Sequence, residues 1–260
     1  MPFASLPGTE VHYTVDGDGP ALMLLHGTGG DGFTHWGQLL RHLPGRRVIC
    51  PDYAGSGRTT DAGGPLQLED LADQMLAVMD ACGDSTVDLV GYSLGAVLAA
   101  FIAAHHPGRV RRLVLIAGFT GGNDARADLQ FGLWRDLIRQ DTALMARFLL
   151  LTGAHPAWLA AQTGEQLARR IAAVVRYTNW SGMARQVDLD ARVDIAPLLR
   201  NITAATRLIT GSHDTMVPAV QSDRLQAIRG ASQVSLPAGH LLPLEVPAEL
   251  AREILAFVEA

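Results

Sequence analysis

The sequence predicts an α/β fold: a mainly parallel β-sheet covered by helices on both faces, with a helical insertion late in the chain. Three observations carry that prediction. Short, largely apolar runs at residues 21–25, 47–50, 87–90, 113–116, 207–210 and 233–236 alternate with segments of helical period. Such runs suit strands buried on both faces and joined by crossover helices. The alternation lapses between 124 and 187, where only helical patterns occur. Finally, Val87-Asp88-Leu89-Val90 runs through Gly91-Tyr92-Ser93-Leu94-Gly95 into a small-residue helical segment at 96–105. That is a strand, a very tight turn with a serine at its apex, and a helix. The glycines belong there because a sharp strand-to-helix turn brings neighbouring backbones too close for side chains.

Taken in order, residues 10–15 alternate and read as a strand, closed by the turn cluster Asp16-Gly17-Asp18-Gly19-Pro20. The buried strand 21–25 ends in a glycine-dense loop, His26-Gly27-Thr28-Gly29-Gly30-Asp31-Gly32. A short helix through Trp36, Leu39, Leu40 and Leu43 leads to the strand 47–50, and 51–65 reads as a loop. Leu68, Leu71, Ala72, Met75, Val78 and Met79 recur at steps of three and four, an amphipathic helix with Gly83 as its stop. After the serine turn and the strand 113–116, the insertion carries helical stripes such as Leu129, Leu133, Leu137 and Leu167, Ile171, Val174, Val175. Strand and helix then resume: 207–210, a helix over 220–228, a last strand 233–236 and a closing helix 248–258. The predicted organisation is one core, 1–123 and 188–260, with a helical cap, 124–187, inserted in it.

Composition narrows the function. A chain of 260 residues with 48% hydrophobic content is long and apolar enough for a large core and excludes disorder. A net charge of −5 offers no basic field for nucleic acid or an anionic membrane. All 21 basic residues are arginines, so Schiff-base or lysine-base chemistry is excluded. Cys50 and Cys82 read as packing residues; two cysteines make no disulfide framework and join no metal-like cluster. No metal and no cofactor is expected. The N-terminus lacks a charged segment followed by an apolar one, and no apolar stretch approaches the ~20 residues of a membrane span. The expectation is a soluble, cytoplasmic protein.

Parallel sheets carry their sites in loops at the carboxyl ends of the strands. A serine nucleophile needs an adjacent base, itself oriented by a carboxylate. The loop after 207–210 holds Gly211-Ser212-His213-Asp214, and the loop after 233–236 holds Pro237-Ala238-Gly239-His240. Ser93, Asp214 and His240 are the candidate catalytic residues. Asp124 is the second-choice carboxylate, and His213 the histidine most easily mistaken for the base. The amides of Leu94 and Thr28 are the candidate oxyanion donors. Tyr92, beside the serine, either contacts substrate or packs under the turn.

The glycine loop also fits a competing pattern. Gly27, Gly29 and Gly32 are spaced as G-x-G-x-x-G, and Asp52 follows Gly32 by 20 residues, as in a dinucleotide site with its ribose acid. That reading leaves Ser93, Asp214 and His240 without a task, and Phe33-Thr34-His35-Trp36 reads as a poor helix opening for a pyrophosphate.

From about residue 10 to its end the chain resembles the α/β-hydrolase superfamily, in its lipase/esterase-like branch with a helical cap. The resemblance rests on His26-Gly27, Pro51-Asp52 with Gly55-Ser56-Gly57, Gly91-Tyr92-Ser93-Leu94-Gly95, Gly211 with Asp214 and Pro218, and Gly239-His240 with Glu245 and Pro247. Ala205 stands where a proline is usual and Arg58 where a serine is usual. The resemblance makes Asp52 a structural loop acid. It implies a serine hydrolase cleaving a small ester, lactone or thioester through an acyl-enzyme. The alternative is a non-hydrolytic relative, a lyase, cyclase, acyltransferase or cofactor-free oxygenase acting on a biosynthetic intermediate. Phe131, Trp134, Phe148, Trp158 and Trp180 read first as packing; any facing inward would favour an apolar or aromatic acyl group.

Overall fold

The structure, a computed structural model, describes residues 2–121 and 124–260. The predicted boundary at 123 lies outside the described residues. Eight strands form one sheet: β1 (Phe3–Leu6), β2 (Thr9–Asp16), β3 (Ala21–Leu25), β4 (Arg47–Pro51), β5 (Val87–Tyr92), β6 (Val110–Ile116), β7 (Ala205–Gly211) and β8 (Ser232–Leu236). Their order is β1-β2-β4-β3-β5-β6-β7-β8. β2 pairs antiparallel with β1 and with β4, and the remaining neighbours are parallel. The helices α1 (Gly32–Trp36), α2 (Leu68–Ala81) and α3 (Leu94–His105) precede a run of five between β6 and β7. These five are α4 (Ala125–Gln140), α5 (Thr142–Gly153), α6 (Pro156–Ala160), α7 (Gly164–Tyr177) and α8 (Trp180–Asp190). The chain closes with α9 (Ala219–Ser222), α10 (Leu242–Glu245) and α11 (Pro247–Val258).

The alternation of a strand's side chains sorts the core into two layers. All five residues of β3 are buried. Met23 and Leu25 join Leu71, Met75, Val97 and Leu98 under α2 and α3, whereas Leu22 and Leu24 join Trp36, Leu39, Leu250 and Ile254 on the opposite face. Asp88, inside the apolar run of β5, is fully buried and paired with Arg46 and Arg111; a buried carboxylate needs such partners. A third cluster, of Phe131, Trp134, Met145, Met183, Val187 and Met216, joins the inserted helices to the loop after β7.

Three differences from the sequence reading have local causes. β1 went unread because it is a four-residue edge strand with one fully buried side chain, hairpinned onto β2 through Gly8 at φ +75°. The helix expected from Trp36 to Leu43 breaks: α1 stops at Trp36, and a separate 3-10 turn covers Leu40–His42. Gly37 lies at the break, and glycine costs about 1 kcal/mol in a helix interior. The expected helix over 220–228 is one α turn, α9, followed by a 3-10 turn over Asp223–Ala227.

Candidate active site

β5 enters the turn at Tyr92, and α3 leaves it at Leu94. Ser93 between them has φ 55° and ψ −120°, a conformation that costs a non-glycine residue about 1–3 kcal/mol. Its neighbours make the turn possible. A Cβ on Gly91 would collide with the Gly95 carbonyl, and one on Gly95 with the carbonyls of Leu25 and His26. All three obstacles are backbone, which cannot rotate away. Gly95→Ala therefore should destabilise the fold by more than about 4 kcal/mol, the exceptional range for a point change. A urea midpoint within 0.5 M of the parent, on the order of 1 kcal/mol at a usual slope, would contradict this.

Three strand-end loops converge on Ser93. His240 Nε2 lies 3.1 Å from Ser93 Oγ, and His240 Nδ1 lies 2.7 Å from Asp214 Oδ2. His240 and Asp214 side chains are only 6% and 3% exposed. The carboxylate accepts, so Nδ1 carries the proton and Nε2 presents its lone pair to the serine hydroxyl. The other carboxylate oxygen, Oδ1, accepts the N–H groups of Met216 at 2.9 Å and Val217 at 2.8 Å. The loop bearing His240 is tied down in turn. Glu245 accepts the Gly239 and His155 N–H groups, while the His240 and Leu241 N–H groups both donate to Gly153 O at the end of α5.

The two candidate oxyanion donors follow β5 and β3, Leu94 directly after Ser93 and Thr28 in the glycine loop. Leu94 is the first residue of α3, whose N–H has no intrahelical acceptor by position. In the glycine loop, the Gly27 N–H donates to His35 Nδ1, the Gly29 N–H to Gln186 Oε1 and the Gly30 N–H to Gly27 O. Among the described residues the Thr28 N–H alone of these four has no protein acceptor. Thr28, Tyr92, Ser93 and His240 line one cavity of about 450 Å³ roofed by the inserted helices. Trp134, Leu149, Val174 and Met183 supply apolar wall. Tyr92 lines the cavity and packs edge-on against Trp36 and His35, with the His240 ring 5.3 Å away.

The other candidates have structural tasks. Asp124 caps α4 by accepting from Arg126 and Ala127 N–H. His213 pairs with Ser212 and meets His155 edge-on, and it is His240 that reaches Ser93. Trp158 carries Arg170 over its ring, and the Trp180 indole N–H donates to Val175 O. In the glycine loop residues 33–36 do form a helix, but not one open to a pyrophosphate. α1 starts there, because Asp31 caps it in a capping box with Thr34. That carboxylate occupies the amides a pyrophosphate would need. Asp52 is equally committed, accepting from Gly32 and Arg58 N–H and pairing with His12.

Sequence reasoning missed three polar residues around the site: half-buried His35 and the buried Gln186 and Asp190. His35 accepts a backbone N–H, so its Nδ1 is unprotonated. Burial pushes its pKa down to about 3, and burial also lowers that of His26. Both groups bind a proton less tightly folded than unfolded. Stability should therefore fall as pH drops below about 6.5, each histidine contributing at most about 1.4 kcal/mol per pH unit. Burial pushes the Asp190 carboxyl up to about 7, which opposes the histidines over the same range. The check is therefore a comparison: Asp190→Asn should steepen the fall in urea midpoint from pH 7 to pH 5, and an unchanged midpoint in that variant would contradict the assignment.

A serine on a strained strand-to-helix turn, served by a histidine and a carboxylate from later strand ends, defines the class in which this geometry recurs. The alpha/beta hydrolase fold family matches residues 20–247, and the chain belongs to that family. It is 42% identical over 251 residues to the pyrrolizixenacetamide deacetylase of Xenorhabdus hominickii, covering 96% of this chain and 94% of that one. It is 27% identical over 266 residues to lipase LipV of Mycobacterium tuberculosis, covering 91% and 92%. The crystal structure of the enol-lactonase from Burkholderia xenovorans LB400 superposes with a TM-score of 0.89 at 24% identity, over the whole of both chains. Among the described residues no helix is long and apolar enough to cross a membrane, and no group of three or more potential metal ligands occurs.

Proposed function

We propose that the protein is a serine hydrolase that cleaves a small, largely apolar substrate at a carboxylic ester, lactone, thioester or amide bond through an acyl-enzyme. One observation carries the reading: the unbroken relay from Asp214 Oδ2 through His240 to Ser93 Oγ, 2.7 and 3.1 Å. Ser93 Oγ attacks the carbonyl carbon while His240 Nε2 takes its proton, and Asp214 holds the resulting imidazolium. The Thr28 and Leu94 N–H groups receive the oxyanion; one such donor contributes about 2.7–4 kcal/mol of transition-state stabilisation. His240 returns the proton to the leaving oxygen, sulfur or nitrogen. Water, deprotonated by the same imidazole, then releases the acid and restores Ser93.

The apolar cavity supports an apolar acyl or leaving group of moderate size. The relative named a deacetylase supports including the acyl–nitrogen bond beside the ester. A fluorophosphonate probe tests the reading. Stoichiometric labelling at Ser93, with p-nitrophenyl acetate turnover lost in step, is expected. Turnover that survives full labelling would refute the acyl-enzyme, whereas absence of both labelling and p-nitrophenyl acetate turnover would favour the non-hydrolytic alternative.

A further inference from the structure

α8 packs its backbone hard against the core. A Cβ on Gly182 would collide with the Gly55 carbonyl, and one on Gly29 would lie 2.8 Å from Met183 Sδ. One turn apart on α8 stand two buried polar side chains, Gln186 and Asp190. Gln186 is bound at both ends: its Oε1 accepts the Gly29 N–H at 2.8 Å, and its Nε2 donates to Ser56 Oγ at 2.7 Å. Asp190 Oδ2 accepts the Thr28 hydroxyl at 2.6 Å. Asp190 Oδ1 is buried with no partner among the described residues.

That last fact needs a reason. Burying a carboxyl with one oxygen unsatisfied is costly, and an apolar side chain would close the end of a helix without the cost. What the carboxyl supplies is a short bond to the hydroxyl of the residue whose own N–H is left open to the cavity. Gln186 fixes the next residue along, Gly29, which sits at φ +74°. The loop is thus held at Thr28 and at Gly29 by an inserted helix, while His35 on α1 takes the Gly27 N–H on the other side of the Thr28 peptide.

We infer that Asp190 and Gln186 are positioning residues for the reaction: α8 holds the Thr28 N–H in the orientation in which it receives the oxyanion. The inference rests on the serine-hydrolase reading above. It also assigns the Thr28 side chain a task separate from that of its amide.

Thr28→Val removes the hydroxyl and keeps the N–H and the side-chain shape. Asp190→Ala removes the acceptor, and Asp190→Asn keeps an acceptor oxygen. With p-nitrophenyl acetate, Thr28→Val and Asp190→Ala should each lower kcat by about 10–100-fold, less than loss of the donor itself, with KM changed less than about threefold. The double variant should be no slower than the slower single one, since both break one bond. Asp190→Asn should recover to within about fivefold of the parent, and Gln186→Leu should lower kcat in the same sense as Asp190→Ala. Unchanged kcat in Thr28→Val, additive losses in the double variant, or an effect confined to KM would each overturn the inference. Thr28→Val, a small change at the cavity wall, keeps the test decisive if Asp190→Ala does not fold. Full turnover by Ser93→Ala would instead sink the serine-hydrolase reading; dead Ser93→Ala beside a fully active Thr28→Val would sink this inference alone.

Discussion

Ser93→Ala should lower kcat on every ester or amide the protein turns over by about 10⁶-fold, the loss seen when the nucleophile of a serine–histidine–carboxylate site is removed. The residual rate, about 10³–10⁴ above that in water, would come from the two amide donors and from binding alone. The fold should be indifferent. Ser93 donates its backbone N–H to Ile116 O, which alanine keeps. Alanine inherits the same backbone strain, so the melting temperature should stay within about 2 °C, the shift expected for a ΔΔG below about 0.5 kcal/mol. The decisive measurement is single-turnover chemistry with p-nitrophenyl acetate: a burst of p-nitrophenol from the parent, none from the variant. A burst of equal size from both would remove Ser93 from the mechanism.

Asp214→Asn is expected to cost about 10⁴ in kcat, and here the surrounding bonds dictate why. The Met216 and Val217 N–H groups both donate to Oδ1. An asparagine at 214 must offer them its carbonyl oxygen, because its amide nitrogen has no lone pair to give. The NH₂ group is then turned toward His240 Nδ1, which becomes an acceptor. The imidazole proton moves to Nε2, where it faces Ser93 and blocks proton abstraction. The variant should fold, bind substrate with KM within about threefold, and label with a fluorophosphonate slower by about the same 10⁴. Labelling at the parental rate would show that the carboxylate does not set the tautomer.

How far the site could be read in the sequence follows from what each residue contacts. Ser93, Asp214 and His240 follow strands directly, and β5, β7 and β8 were visible as apolar runs; parallel order brings their ends together without further information. Thr28 was legible for the same reason, lying three residues past β3. Gln186 and Asp190 were not. On α8 they share a face with Met183 and Val187, and a polar residue in such a stripe reads as its edge until the loop it serves is in place. The expected insertion stopped at 187, short of Asp190, because Asp188-Leu189-Asp190 breaks the apolar rhythm there. His35 carries no task in the sequence beyond its place in the segment 33–36, since its partner is a backbone N–H that no spacing reveals. The competing glycine pattern was set aside because it left the strand-end residues idle. The structure adds the direct reason, that Asp31 and Asp52 already satisfy the amides around it.

The two hydrogen bonds accepted by Gly153 O bear on how the inserted helices can move. His240 and Leu241 hang from the C-terminal carbonyl of α5, and Thr215, beside Asp214, donates its hydroxyl to Thr152 O on the same helix. The histidine and carboxylate loops are thereby moored to the roof of the cavity. A roof that swung away to admit a ligand would drag both loops off the serine with it. Phe33 and Tyr177, 77% and 54% exposed, line the cavity from core and insertion respectively. Movement of α5 and disassembly of the relay are therefore one event, and the relay stays assembled only while that helix stays in place.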